Sequence, residues 1–440
     1  MNKRTRIYWW SLIVALGGFL FGFDTAVISG VEKSIQHIFD LSPLTHGFAI
    51  SSALIGTIIG AMLAGKPADK YGRKPLLYII AIGYMLTSIG TALSANLTMF
   101  ILFRFFGGIA VGASSVIAPM YISEIAPADI RGRATASFQL NVIIGILVAF
   151  ISNYFLRDIG TDAWRWMLAV LAIPSALYFI LLFFVPESPR FLIKKGLTDN
   201  ALLILERIGV ADVKKEVDII KKNIIVKEGK LFSKVYTRPL LIAFLVAMFN
   251  QFSGINAILY FAPRIMELSG LAESTAFFHP VIIGATNALF TLLGLVIVDK
   301  VGRRTLLIIG SVGMAVCLAS VTSIFFSHNH SGLLLISLVG YIMFFAASTG
   351  TVIWILISEV FPASVRGKGQ SFGSFTHWSF AAIITFSFPV ISSVFTNGAA
   401  FIFAFFSLMM ILQALVAWKY FPETKGKTLE EISLELKAKR

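Results

Sequence analysis

Residues 123–133 read SEIAPADIRGR, and residues 358–368 read SEVFPASVRGK. Both blocks keep the frame E-x-x-P-x-x-x-R-G, 235 positions apart in a chain of 440. Outward from them the same duplication recurs. DKYGRK (69–74) returns as DKVGRR (299–304), offset by 230. PESPR (186–190) returns as PETKG (422–426), offset by 236. Three matched pairs at a nearly constant offset define two parallel halves.

The residues between these blocks decide what the halves are made of. The chain is 57% hydrophobic and only 14% charged, with a mean hydropathy of +0.83. About 25% charge is usual in a soluble protein. Crossing the hydrocarbon layer takes about 20 apolar residues in a helix. Stretches of that length occur twelve times: 7–29, 47–65, 75–96, 98–122, 134–156, 165–185, 239–263, 277–298, 305–327, 332–358, 369–395 and 398–421. Each matched pair therefore lies six spans apart. The expected fold is an all-α membrane protein of twelve transmembrane helices in two six-helix halves, with short helices outside the membrane. Two parallel repeats about an axis normal to the membrane are the layout of a rocking transporter.

The expected boundaries are 1–185 for the first half, 186–238 for a charged linker, 239–421 for the second half and 422–440 for a tail. In the linker, Thr198 is a candidate helix cap, and Val213, Val217 and Ile220 fall at helical spacing. The tail reads as one further short helix. The first span is longer than a signal-peptide core, carries Asp24 and shows no A-x-A site, so it reads as a span rather than a cleaved leader.

The net charge of +14 raises the question of nucleic acid. Placement answers it. With both termini cytoplasmic, the outer loops hold only Lys33, Arg157, Arg165 and Arg264, and Arg104 lies within a span. The other Lys and Arg fall on the cytoplasmic side, which is the positive-inside asymmetry. The excess is topological, the partner it points to is a lipid bilayer, and no nucleic acid is expected. The single cysteine, Cys317, excludes an internal disulfide and reads as a small apolar filler. The sequons at Asn96 and Asn329 sit in outer loops too short for ready glycan access and read as chance. There is no metal-ligand cluster, nucleophile–base pair or phosphate loop, so neither an enzyme nor a cofactor is expected.

Charges inside spans are expensive, about 2.5–3.5 kcal/mol each at the centre on insertion scales. Asp24, in GGFLFGFDTAVISG (17–30), and Arg104 are the two well inside. Span one runs outward and span four inward, so each lies about six residues, roughly 9 Å, below the outer surface. Equal depth lets them pair or share water. Gly18 and Gly22, and likewise Gly108 and Gly112, form G-x-x-x-G faces that favour close approach of these spans. Beside the arginine the carboxylate stays ionised; parted from it in apolar surroundings, it takes up a proton. That is the requirement for a proton carrier.

Neutral polar residues gather elsewhere. Span seven carries Asn250, Gln251, Asn256 and Tyr260, with Gly254 weakening the helix among them. Amides donate and accept at once, which suits sugar hydroxyls better than an ionic substrate. Phe21, Gln139, Asn287, Trp354, His377 and Trp378 add polar and aromatic groups from spans one, five, eight, ten and eleven. Aromatic faces pack on the C–H surface of a pyranose while amides read its hydroxyls. At the cytoplasmic ends, Asp69, Arg73, Glu124 and Arg131 match Asp299, Arg303, Glu359 and Arg366. Acids and bases alternating at repeat-matched places suggest crossed ion pairs that clamp that side shut.

These paired motifs resemble the sugar porter family of the major facilitator superfamily over essentially the whole chain, and within it the bacterial proton-coupled symporters of the xylose and hexose type. The D-x-x-G-R-[KR] pair marks the superfamily; PESPR, PETKG and the E-x-x-P-x-x-x-R-G blocks together mark the family. The resemblance implies proton coupling at Asp24, since related uniporters have a neutral residue there. It places Gln139, Gln251 and Asn256 with the other polar and aromatic residues above at a central sugar site. Three positions depart from the family pattern: the tandem glutamine is Asn250-Gln251, the Gly-Pro of span ten is Gly350-Thr351, and the amide before the span-eleven tryptophan is His377. Each touches the sugar side, so these departures bear on which sugar is carried, and Thr351 also on how span ten bends. The resulting expectation is a proton-coupled importer of a neutral hexose or pentose in a bacterial plasma membrane, working as a monomer. The alternatives are an uncoupled facilitator and a sugar sensor, the latter disfavoured by a tail of about 19 residues.

Overall fold

A computed structural model describes residues 3–127, 130–210, 212–224, 229–270, 273–327, 331–362, 364–395, 397–427 and 429–438. Among these, twelve helices or helix pairs are long and apolar enough to cross a membrane: Arg4–Gly30, Pro43–Leu63, Arg73–Ala92, Leu97–Ile125, Arg131–Leu156, Ala163–Phe184, Lys234–Tyr260, Thr275–Val301, Arg303–Ser327, Gly332–Glu359, Arg366–Val394 and Gly398–Tyr420. They are numbered as spans one to twelve below. All twelve expected spans are present, with ends shifted by a few residues: several helices start earlier, in their charged flanks, and spans two, three and seven stop short of the expected end.

Contacts group the chain into two units. One comprises Met1–Thr25, Ile55–Ala149 and Ile159–Lys227. The other comprises Ala26–Leu54, Phe150–Asp158 and Glu228–Arg440.

Within the first unit, close packing follows the glycines, but in a different pairing from the expected one. A Cβ on Gly18 or Gly22 would overlap the carbonyl oxygens of Phe138 or Val142, so this face lies on span five. A Cβ on Gly112 would overlap the Thr57 carbonyl, so that glycine serves span two. The contact between spans one and four runs instead through Gly17, which faces the Ser114 hydroxyl. The correction is one of helix face: Gly17 and Gly18 are about 100° apart around the helix, so they serve different neighbours.

Within the second unit, two spans are broken where polar backbone is needed. Span seven stops at Phe252, Gly254 adopts φ +88°, and a second segment, Ile255–Tyr260, begins. This left-handed turn favours glycine, and a side chain there would also strike the Phe406 ring. Span ten breaks at Ser348 without a proline. The Thr351 hydroxyl donates to the Ala346 carbonyl at 2.7 Å and the Ser348 hydroxyl to Phe344, so carbonyls freed by the break are satisfied by side chains.

Short amphipathic helices fill the linker, as its pattern predicts. Thr198 is the first helical residue of Thr198–Ile208 rather than its cap, which is Leu197. Val213–Ile224 follows and buries Val217. In the tail helix Leu429–Ala438, Ile432 and Leu436 join the apolar core with Leu356, Ile357 and Phe361. Asn96 caps span four by accepting the Met99 amide at 2.9 Å, which gives that sequon a structural role. Asn329 lies outside the described residues.

Candidate functional site

Span one and span four bring Asp24 and Arg104 together. Arg104 Nη1 donates to Asp24 Oδ1 at 2.6 Å. Both side chains are buried, the arginine 3% and the aspartate 11% exposed. Arg104 Nε and Nη2 are buried without a protein partner among the described residues. The aspartate is thus the counter-charge the structure gives this guanidinium. Taking Asp24 away strands a cation in a low-dielectric interior, and protonating it has the same electrostatic consequence. A group whose protonation changes the balance of a buried charge is chemically able to bias a conformational equilibrium.

Phe21 and Gln139 belong to the same unit, both half-buried, on spans one and five. Asn141 donates back to the Ser137 carbonyl of its own helix at 2.9 Å. In the second unit, Asn153 donates to the Val27 carbonyl at 3.0 Å.

In the second unit, the break in span seven gathers the other polar groups. Gln251 is the hub. Its Oε1 accepts from Asn256 Nδ2 at 2.8 Å, and its Nε2 donates to Asn250 Oδ1 at 2.9 Å. The same Nε2 lies 3.1 and 3.2 Å from the two ring nitrogens of His377. Asn250 Nδ2 reaches the Thr349 carbonyl beside the break in span ten at 3.4 Å. The His377 ring packs against Trp354 at 5.0 Å and edge-on to Trp378 at 4.8 Å between centroids. Asn250, Gln251, Asn256, His377 and Trp378 are all buried, and Trp354 is half-buried. Tyr260 is buried in the second segment of span seven, and Gly350 faces the Phe345 ring. Asn287 is buried on span eight with its oxygen 3.5 Å from the Thr291 hydroxyl. The structure thus joins Asn250, Gln251, Asn256, Trp354, His377 and Trp378 into one cluster of amides and rings. The donors and acceptors in it mostly satisfy one another, and neutral amides can exchange such partners for the hydroxyls of an uncharged ligand at little net cost.

The repeat-matched charges form two copies of one network. In the first unit, Arg73 Nη2 contacts Glu124 at 2.9 Å and Asp69 at 3.3 Å, and its Nη1 donates to the Ala68 carbonyl. Glu124 also accepts from the Ser188 hydroxyl. In the second unit, Arg303 contacts Glu359 at 3.1 Å and Asp299 at 2.9 Å, and Glu359 accepts from the Thr424 hydroxyl at 2.6 Å. Each network closes within its own unit. Arg131 donates through Nε to the Ala126 carbonyl, and Arg366 Nε is buried without a partner among the described residues.

Two acids of these networks escaped the sequence reading. Glu187 accepts from the Arg73 and Lys74 amides at 3.1 Å each, at the start of span three. Glu423 accepts from the Arg303 and Arg304 amides at 2.9 and 3.1 Å, at the start of span nine. A carboxylate there complements the helix dipole. Gly72 and Gly302, at φ +106° and +100°, make the room, since a Cβ on either would collide with the carboxylate. Burial pushes the Glu187 carboxyl above the ordinary carboxylate range, against the opposing pull of those amides and of Arg73. The signal was available: these acids are the E of PESPR and PETKG, duplicated like the arginines they serve.

Sequences of the family described as "Sugar (and other) transporter" match residues 10–436. The chain is 36% identical to the D-xylose-proton symporter of Escherichia coli (strain K12), over 96% of this chain and 94% of that one. It is 36% identical to the arabinose-proton symporter of Bacillus subtilis (strain 168), over 96% and 93%. The inward open conformation of the xylose transporter XylE from E. coli superposes with a TM-score of 0.88 at 35% identity, covering 98% of this chain and 99% of that chain.

Proposed function

Since the chain belongs to the sugar transporter family of the major facilitator superfamily, we propose that it is a secondary active transporter importing a neutral monosaccharide, a hexose or pentose, by symport with a proton. The observation that carries the coupling is the buried Asp24–Arg104 pair. A facilitator needs no titratable group held against a buried cation, and the symport activities named for the xylose and arabinose relatives support the same reading. The sugar is read by the amide and ring cluster around Gln251, with Phe21, Gln139, Tyr260, Asn287 and Gly350 completing the set of binding residues.

In this reading the chain is a multi-pass protein of a bacterial cytoplasmic membrane with both termini inside, and one copy suffices for transport. The networks of Asp69, Arg73, Glu124 and Arg131, and of Asp299, Arg303, Glu359 and Arg366, form the cytoplasmic gate, and they form crossed pairs when that side closes. Asp24 takes up a proton from outside when the cavity faces out and releases it inside.

The test is uptake of a panel of labelled hexoses and pentoses into proteoliposomes under an imposed inward proton gradient. Accumulation of one sugar that collapses with a protonophore supports the proposal. Equilibration without accumulation identifies a facilitator, and binding without flux identifies a sensor.

A further inference from the structure

A second set of buried charges lies on the side of the membrane opposite the D-x-x-G-R loops, wholly within the second unit. Span one ends at Gly30, and the short helix Glu32–Ile38 follows. Span seven ends at Tyr260, and the short helix Ala262–Leu268 follows. Glu32 is 1% exposed although it carries a carboxylate. Arg264 Nε donates to its Oε1 at 2.9 Å. His46, fully buried at the start of span two, approaches from another side. Its Nε2 is 3.1 Å from Glu32 Oε2 and 3.1 Å from the Glu32 carbonyl oxygen. Both neighbours are acceptors, so Nε2 carries the hydrogen.

The contact has breadth as well as depth. Arg264 Nη2 also donates to Gln36, one turn along from Glu32. Lys33 Nζ meets Glu267 Oε2 at 2.7 Å, joining the next residue of one short helix to the next turn of the other. Beneath the charges, Phe261 stacks on Phe388 of span eleven at 4.7 Å between centroids and meets the His46 ring edge-on. Gly47 of span two lies so close to the Phe386 carbonyl that a Cβ would overlap it. Charges, rings and backbone thus join the ends of spans one and two to those of spans seven and eleven.

We propose that Glu32, His46 and Arg264 form an outer latch, a conformational device that holds the external side shut and whose release admits sugar. The proposal rests on the alternating-access reading given above. Spans one and two come from the first sequence repeat, and spans seven and eleven from the second. A cavity that opens outward must part these ends. Parting them rehydrates Glu32 and Arg264, so the latch trades a direct ion pair for water, which makes it reversible. His46 donates to the Glu32 carbonyl and lies 3.1 Å from its carboxylate, so Glu32 serves both span two and span seven. A single acid thereby makes the three helix ends move as one, and Lys33–Glu267, with Lys33 57% exposed, adds a weaker, salt-screened contact at the rim.

Spin labels at two exposed positions, Ile38→Cys and Leu268→Cys, report the separation of the two short helices in a background with Cys317→Ala. Double electron–electron resonance in lipid, without any sugar, gives the closed and open populations. With the latch intact the short distance dominates. Glu32→Gln and Arg264→Gln are each expected to raise the open-to-closed ratio about tenfold, which corresponds to roughly 1.4 kcal/mol. The double variant should shift it by less than the sum of the singles, because the two share the Glu32–Arg264 contact. Lys33→Ala, at the exposed rim, gives a smaller shift that vanishes at high salt. Unchanged distances in both single variants, or fully additive shifts in the double, overturn the latch. The readout does not depend on the cargo. If no sugar is taken up but the distance still depends on Glu32 and Arg264, the transport proposal fails while the closing of the external side by this latch stands.

Discussion

Asp24→Asn separates what the Asp24–Arg104 pair does for the fold from what it does for transport. The aspartate is the counter-charge of an arginine that is 3% exposed and has two further nitrogens without protein partners among the described residues. Removing one member of a buried pair costs about 3–5 kcal/mol, so the variant should melt earlier in detergent. Asp24→Asn combined with Arg104→Gln removes the stranded cation and should recover most of that loss. Transport should behave otherwise. One proton moving through 100 mV supplies about 2.3 kcal/mol. At about 1.4 kcal/mol per tenfold, that sustains roughly fiftyfold accumulation. Neither variant can load the proton, so both should bring sugar only to equal concentrations on the two sides of a proteoliposome under a pH gradient. Exchange of labelled for unlabelled sugar should persist, because the amide cluster is untouched. If the double variant is as stable as the parent and still concentrates sugar about tenfold, the proton is carried elsewhere and the coupling argument fails.

The sugar cluster yields sharper tests of binding. Gln251→Ala leaves Asn250, Asn256 and His377 each short of a partner, and each neutral hydrogen bond is worth roughly 0.5–1.5 kcal/mol. Sugar affinity by calorimetry should fall about two- to tenfold or more, and an unchanged value would move the site. Trp354→Ala should weaken binding through lost ring packing, read by the same titration. Asn250→Gln and His377→Gln lengthen or replace groups that bracket Gln251 and should reorder which sugars compete best in uptake while accumulation survives; an unaltered order would remove these residues from specificity. Arg73→Glu or Arg303→Glu should break the network around Glu124 or Glu359. Labelling from the cytoplasmic side of new cysteines on spans five and eleven should rise, and unchanged labelling with intact transport would leave these arginines as topology signals alone.

Much of this was legible in the sequence for a physical reason: a membrane restricts the alternatives. Twelve apolar stretches can be little else than twelve helices, and the duplicated motifs place them in two sixes. The Asp24–Arg104 pair was legible because charges are rare in such stretches, and opposite run directions fix their depths. What was not legible depended on helix rotation and on groups outside the spans. Nothing in a linear pattern says that Gly17 rather than Gly18 faces span four. Glu187 and Glu423 were given no role, because only the left-handed glycines at 72 and 302 put helix amides beside them. With Thr351 in place of the family's proline, the sequence left open how readily span ten bends. The span breaks, because the hydroxyls of Ser348 and Thr351 accommodate the freed carbonyls. Arg264 was read only as an outer-loop charge and His46 not at all, since both are ordinary until a buried glutamate is found between them.

The placement of the two chemistries constrains how coupling can work. The titratable pair sits on spans one and four, within the first unit, whereas the amide and ring cluster is built by spans seven, ten and eleven, within the second. In the proposed symport, a proton arriving at Asp24 neutralises the counter-charge of Arg104. It can act by changing the cost of burying Arg104, and so the balance between conformations. Binding linkage is reciprocal: if protonation favours the conformation that grips sugar, sugar must favour protonation by the same factor. Coupling of this kind needs no contact between proton and cargo. It needs only that both prefer the same arrangement of the helices. On the proposed assignment, changes at Asn250 and His377 would alter the cargo while leaving the charge pair as it is.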